Sequence, residues 1–142
     1  MAAQTASRTA PQTGDGPLVT LLSVPVKAAT KIFAGSLVVA DAGYAAPGRT
    51  ATALFALGVA RKDVDNSAGA AGDQLADIER GAFPFNNSAS TDAITQASLY
   101  QDVYIVDDNT VAKTDGSGTR SKAGRAIGFL DNGQVVVEVG GR

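Results

Sequence analysis

The stretch Ala126-Ile127-Gly128-Phe129-Leu130-Asp131-Asn132-Gly133-Gln134-Val135-Val136-Val137-Glu138-Val139 decides the fold class. Two apolar runs flank Asp131-Asn132-Gly133, and Asn and Gly accept the left-handed backbone that a tight hairpin turn needs. In the second run Val135, Val137 and Val139 share one face, while Gln134, Val136 and Glu138 share the other. That period of two marks a strand with one side buried. The sequence predicts an antiparallel hairpin of residues 126–130 and 134–139.

Working back from this hairpin, the same grammar recurs. Residues 100–106 read as a strand with Val103 and Ile105 on one face and Tyr104 and Val106 on the other, closed by the turn Asp107-Asp108-Asn109. Residues 75–85 alternate imperfectly and contain Pro84, which predicts a bend or an edge position. Residues 54–60 form an apolar run before a polar turn region at 63–72. Further back, Leu37-Val38-Val39 closes at Asp41-Ala42-Gly43, and residues 18–26 form a strand that ends or reaches an edge at Pro25. One short helix is expected at 90–99, where Ser90-Thr91-Asp92 supplies a cap and Ala93, Ile94, Ala97 and Leu99 a partial stripe. Seven or so short strands at even spacing predict an all-β fold, a small antiparallel β-sandwich or barrel (jelly-roll-like), with at most one short helix.

An internal echo accompanies this pattern. Val38-Val39-Ala40-Asp41 resembles Ile105-Val106-Asp107, and Ala56-Leu57-Gly58-Val59 resembles Ala126-Ile127-Gly128-Phe129, with Asp65-Asn66 parallel to Asp131-Asn132. Two related strand–turn–strand units would build the domain from similar halves; chance matches in an Ala-, Val- and Gly-rich chain account for the echo equally well.

Composition agrees with strands and turns. Apolar residues make up 44%, drawn from Ala and Val more than from Leu and aromatics, and 16 glycines interrupt helices. The 142 residues fit one domain at 18–142, preceded by an extended arm at 1–17 whose Ala, Thr, Gln, Ser, Gly and Pro offer no core anchor. Twelve basic against fourteen acidic residues, scattered without a basic run, argue against a nucleic-acid partner. No apolar stretch reaches the roughly 20 residues that span a bilayer, and the N-terminus has no signal-like apolar region, so no membrane partner and synthesis in the cytoplasm are expected.

The residue inventory also limits chemistry. With no Cys and no His, thiol and imidazole nucleophiles, bases and zinc sites are all missing. A hydrolase built on Asp107 and Asp108 remains a formal option, but adjacent carboxylates on a strand face opposite ways and read as a solvated turn. Asp63-Val64-Asp65-Asn66 hints at a calcium loop, yet the sixth and twelfth positions are Ala68 and Gln74 where Gly and Glu are required. Gly116-Ser117-Gly118-Thr119 lacks the Lys and helix of a phosphate loop. The reading is of a non-enzymatic protein with no cofactor.

Candidate contact residues are therefore those of a protein interface. Pro11, Thr13 and Pro17 lie in the arm, which suits strand addition to a neighbour. Phe83 and Phe85, separated by Pro84, point to one side of an extended segment, either into the core or as an anchor in a subunit contact. Lys113, Arg120 and Lys122, with Arg125, put positive charge around the loop at 115–121 and are candidates for docking an acidic neighbour. A carbohydrate-binding β-sandwich is the alternative, against which stand the absence of Trp and only three Tyr.

A series of short motifs then carries a family resemblance. Lys31-Ile32-Phe33-Ala34-Gly35 precedes Leu37-Val38-Val39 and Gly43-Tyr44-Ala45; Gly58-Val59-Ala60 and Val64-Asp65-Asn66-Ser67-Ala68-Gly69 follow. Next come Glu79-Arg80-Gly81-Ala82-Phe83, Asn86-Asn87-Ser88, Val103-Tyr104-Ile105-Val106-Asp107-Asp108, Thr110-Val111-Ala112 and Ala123-Gly124-Arg125-Ala126-Ile127-Gly128. In this order they resemble the small capsid decoration (cement) proteins of tailed bacteriophages. The resemblance implies a β-rich protein on the outer capsid surface of the virion that binds the major capsid protein. It further implies a homodimer or homotrimer that bridges capsomers, with no catalytic residues.

Overall fold

Short Ala- and Val-rich runs cut by Gly, Asp and Asn can pair only with one another, because none is long enough or suitably patterned for a helix. A computed structural model describes residues 21–139 of the chain. The arm at 1–17, with Pro11, Thr13 and Pro17, lies outside the described residues. The strands are β1 (Leu21–Pro25), β2 (Thr30–Ile32), β3 (Leu37–Asp41), β4 (Tyr44–Pro47), β5 (Leu54–Ala60) and β6 (Val64–Asn66). They continue as β7 (Leu75–Glu79), β8 (Gly81–Phe85), β9 (Asp102–Ile105), β10 (Val111–Ala112), β11 (Lys122–Phe129) and β12 (Val135–Val139).

These strands form an all-β fold of three antiparallel sheets. The first has the order β1-β7-β5-β3-β4, the second β10-β9-β11-β12-β8, and β2 pairs with β6 in a third. Pro25, Pro47 and Pro84 sit in β1, β4 and β8, each an edge strand, where a missing N–H breaks no ladder. The expected C-terminal hairpin is present: Gly133 adopts φ 89°, and the Asn132 side chain accepts the Gln134 N–H at 3.0 Å.

The layers follow from alternation in the first sheet. Leu37, Val39, Ala46, Leu54 and Val59 project from one face into a cluster with Phe85, Val103, Ile105, Val111, Ala126, Val135, Val137 and Val139 of the second sheet. Val38, Ala45, Ala60, Ala76 and Ile78 project from the other face and meet Ile32 of β2 and Val64 of β6. The first sheet is thus the middle layer, buried on both sides along β3 and the end of β5.

The two large sheets are repeats of one another. Read from β1 the first runs β1-β7-β5-β3-β4, and read from β8 the second runs β8-β12-β11-β9-β10, the same connection in chain order. Both carry a bulge at one place: Val38 pairs with Gly58 but Val39 with Ala56, and Val103 pairs with Gly124 but Tyr104 with Lys122. Each also has a parallel bridge linking its first and last strands, Val26–Ala45 and Asn86–Thr110. The echo in the sequence was therefore real in kind and misaligned in detail. Gly58 corresponds to Gly124, four residues before the Gly128 that the motif match selects. The bulge, which skips one residue on one strand, is the reason simple matching lands off register.

The short helix expected at 90–99 is replaced by two single 3₁₀ turns, Ser90–Asp92 and Gln96–Ser98. The Asn87 side chain accepts the Ile94 N–H at 2.9 Å and donates to the Ile94 carbonyl at 2.9 Å. Both backbone groups that a helix would use at Ile94 are thereby taken by a distant side chain.

The bulge glycines give a direct test of the repeat. A Cβ on Gly58 would strike the Glu79 carbonyl, one on Gly124 the Glu138 carbonyl, and one on Gly128 would meet nothing within 4 Å. Gly58→Ala and Gly124→Ala should each lower unfolding free energy by about 1–3 kcal/mol. Gly128→Ala should stay within about 0.5 kcal/mol of the parent. Urea unfolding of the three variants measures this; equal losses at 124 and 128 would contradict the alignment.

Candidate functional site

A groove of about 560 Å³ lies between β5 and β11, lined by residues 52–56 and 120–125 with Asp102 and Glu138. Among the described residues both strands are unpaired on one side there. β5 pairs with β3 from Leu54 to Val59, but with β7 only at Val59 and Ala60. β11 meets β12 only from Arg125 onward. Ser121 ties the two strands at the groove's end, accepting the Leu54 N–H at 3.0 Å and donating to the Ala51 carbonyl at 2.7 Å.

Of the basic residues singled out in the sequence, Arg120, Lys122 and Arg125 line this groove, each paired with an acid. Arg120 pairs with Asp92 at 3.4 Å, Lys122 with Asp102 at 3.5 Å, and Arg125 with Glu138 at 3.5 Å. Lys113 is exposed, and its N–H donates to the Asp92 carbonyl at 2.8 Å. The patch is thus compensated, and its electrostatic pull on an acidic neighbour is smaller than the count of cations implies. Arg120 is a loop staple: its side chain is 17% exposed and donates to the Thr114 carbonyl at 3.0 Å as well as reaching Asp92. Lys113 and Lys122 stay available at the surface. The Nε atoms of Arg120 and Arg125 are buried without an acceptor, the one such pair among the described residues.

Phe83 and Phe85 do share a side, as the spacing required. Phe85 is 2% exposed and fills the core, while Phe83 is half-buried against the same cluster. Phe85 thus serves packing, the first of its two readings.

The large exposed side chains lie elsewhere. Phe55 is 70% exposed on the groove wall, and Tyr100, two residues before groove-lining Asp102, is 69% exposed. Phe55 was hidden within a continuous apolar run that reads as wholly buried. Tyr100 carries a second mark: its φ is 67°, the left-handed region that a bulky residue enters at a cost of about 1–2 kcal/mol. Its counterpart in the first half is Gly35, at φ 85°. Gly35 donates its N–H to the Ala60 carbonyl at 2.9 Å, and Tyr100 to the Ala126 carbonyl at 2.7 Å, with Ala60 and Ala126 at equivalent places after the bulge. One copy of the turn uses the residue that fits; the other uses a strained aromatic turned to solvent. Such outliers collect at functional positions.

The acidic motifs serve turns. Asp63 accepts the Ala34 N–H at 2.8 Å, Asp65 accepts the Ser67 N–H at 3.0 Å, and Asp107 accepts the Asn109 N–H at 2.9 Å. Asp108 accepts from the Ser36 hydroxyl at 3.2 Å. No cluster able to hold a metal ion occurs among the described residues.

Asp92 ties the loop at 113–120 to the turn preceding β9. The Thr114 hydroxyl, and after it Arg120, hold its carboxyl below the ordinary carboxylate value. A group depressed in the folded state contributes stability that is complete above its unfolded value, about 3.9, and vanishes as pH falls through the folded one. Asp92→Asn should therefore speed amide exchange at 114–120 at neutral pH and erase part of the acid dependence of that exchange below about pH 4. Unchanged exchange profiles between parent and variant would remove Asp92 as the tether.

Compared with protein-family models, curated proteins and solved structures, the chain finds no match.

Proposed function

We propose that this chain is a structural virion protein that binds the outer surface of an assembled tailed-phage capsid. There it stabilises the shell by bridging subunits of the major capsid protein. The order of motifs along the sequence motivates the reading. The observation that carries it is Tyr100, an exposed aromatic kept in a strained backbone where the equivalent turn has Gly35. Strain without a packing return makes sense where the ring contacts another molecule, and Phe55 adds a second solvated aromatic of the kind that anchors interfaces.

The physical logic is linkage. A ligand that recognises only the assembled lattice shifts the equilibrium toward it by mass action. Copies repeated over the shell then add weak contacts through multivalency. Paired charges around the groove limit long-range attraction, so short-range apolar contact would supply most of the affinity. The arm at 1–17 reaches a neighbouring subunit once the protein is seated.

Two outcomes are expected. Tyr100→Gly should keep or raise thermal stability, since it relieves the left-handed strain, yet reduce retention on purified capsids about tenfold. Deleting residues 2–17 should weaken retention while leaving the remainder cooperatively folded. Sedimentation of capsids with each variant, beside a thermal melt, measures both. Parent protein that fails to co-sediment with particles, or a Tyr100→Gly variant that binds as well as the parent, would sink the proposal.

A further inference from the structure

We infer that the groove between β5 and β11 is the docking site for the chain's own N-terminal segment, residues 1–20, in the free protein. This inference goes beyond the capsid reading and is independent of it.

The route comes from strand direction. β1 and β5 both run antiparallel to β7, so their N-terminal ends lie at the same end of the first sheet. Leu21 and Val59 both pair with Glu79, which puts them on one row. From that row the groove-lining residues 53–56 lie three to six residues back along the chain, toward the N-terminal end of β5, about 10–20 Å along the strand. β7 ends on that row at Glu79, and Leu21 stands about two strand spacings, roughly 10 Å, from β5. The 20 residues before Leu21 can cover that gap many times over, at up to about 3.3–3.6 Å per residue.

The chemistry of the groove matches this occupant. Its walls offer strand edges along β5 and β11 that are unpaired among the described residues, and an extended backbone satisfies them whatever its side chains. Arg120 and Arg125 present buried Nε–H donors with no acceptor among the described residues. Asp15 is the one carboxylate in residues 1–20, and so the one side chain of that segment that brings a negative charge to Arg120 and Arg125. Ala, Thr, Ser and Gly dominate the segment, and such small side chains fit between two strands. Phe55 closes the outer wall. Docking also shields the strand edges, which would otherwise template self-association.

A photo-reactive benzophenone side chain at position 55 tests this in the full-length purified protein, without particles. Isotope-labelled and unlabelled chains are unfolded together, refolded and irradiated, and the cross-linked peptides are mapped. The expected result is cross-links from position 55 to residues 1–20 within chains of one label, and an Asp15→Lys variant in which their yield falls about tenfold. Cross-links joining labelled to unlabelled chains would overturn the assignment in favour of a second copy. Cross-links to residues 140–142, or none to residues 1–20, would overturn it outright. An unaffected yield in Asp15→Lys would remove the carboxylate from the contact. Capsid co-sedimentation reads none of these outcomes, so the two ideas fail separately.

Discussion

Leu37, Val38 and Val39 are consecutive and have no solvent exposure, and the molecule is arranged around that constraint. A strand buried on both faces needs a cover on each side. The second sheet covers one face, and β2 with β6 covers the other. Each fully buried Val or Leu is worth about 1.5–3 kcal/mol, so these layers supply most of the driving force. The core between these layers is built from Ala, Val, Ile and Leu, with Phe85 its one fully buried ring. Of the five Phe, Phe85 alone is fully buried, while Phe33, Phe55 and Phe129 face solvent in the single chain. The surface thus carries large apolar side chains, and that is a surface suited to contact.

Much of this was legible before any coordinates. The period-two pattern of Val135, Val137 and Val139 put them on one face, and all are buried. The prolines announced edges correctly. Residues 54–60 were delimited as β5 because Leu54 through Ala60 is apolar throughout. What stayed hidden has physical causes. β4 and β10 are too short to show a period, and β11 begins at Lys122 where charge on the solvent face masks the alternation. The bend at 75–85 was anticipated, but not that it passes the chain from one sheet to the other at Arg80. Tyr100 gave no local signal at all, because its φ is imposed by the Ala126 carbonyl that its N–H must reach.

The duplication explains where the halves diverge. The row Leu21, Glu79, Val59, Leu37 in the first sheet corresponds to Ala82, Glu138, Arg125, Asp102 in the second. Val59 and Leu37 are buried because the second sheet covers their face. Nothing among the described residues covers the equivalent face of the second sheet, so the same positions carry Arg125 and Asp102, and ion pairs with Glu138 and Lys122 line its surface. Backbone hydrogen bonds and bulges are shared, while side chains follow solvent.

That division separates structural from functional residues without any alignment. Where the two halves agree, as at Gly58 and Gly124, the position answers to backbone geometry, since a Cβ there would collide with a neighbouring carbonyl. Where they differ and solvation accounts for the change, as at Val59 and Arg125, the position answers to burial. Gly35 and Tyr100 differ, yet neither cause applies: the backbone requirement is the same in both, and Gly meets it at lower cost. The ring at position 100 then needs a reason outside the folded chain. An internal repeat thus serves as its own control, and the residue that departs from it against its local geometry is where interaction with another molecule should be sought first.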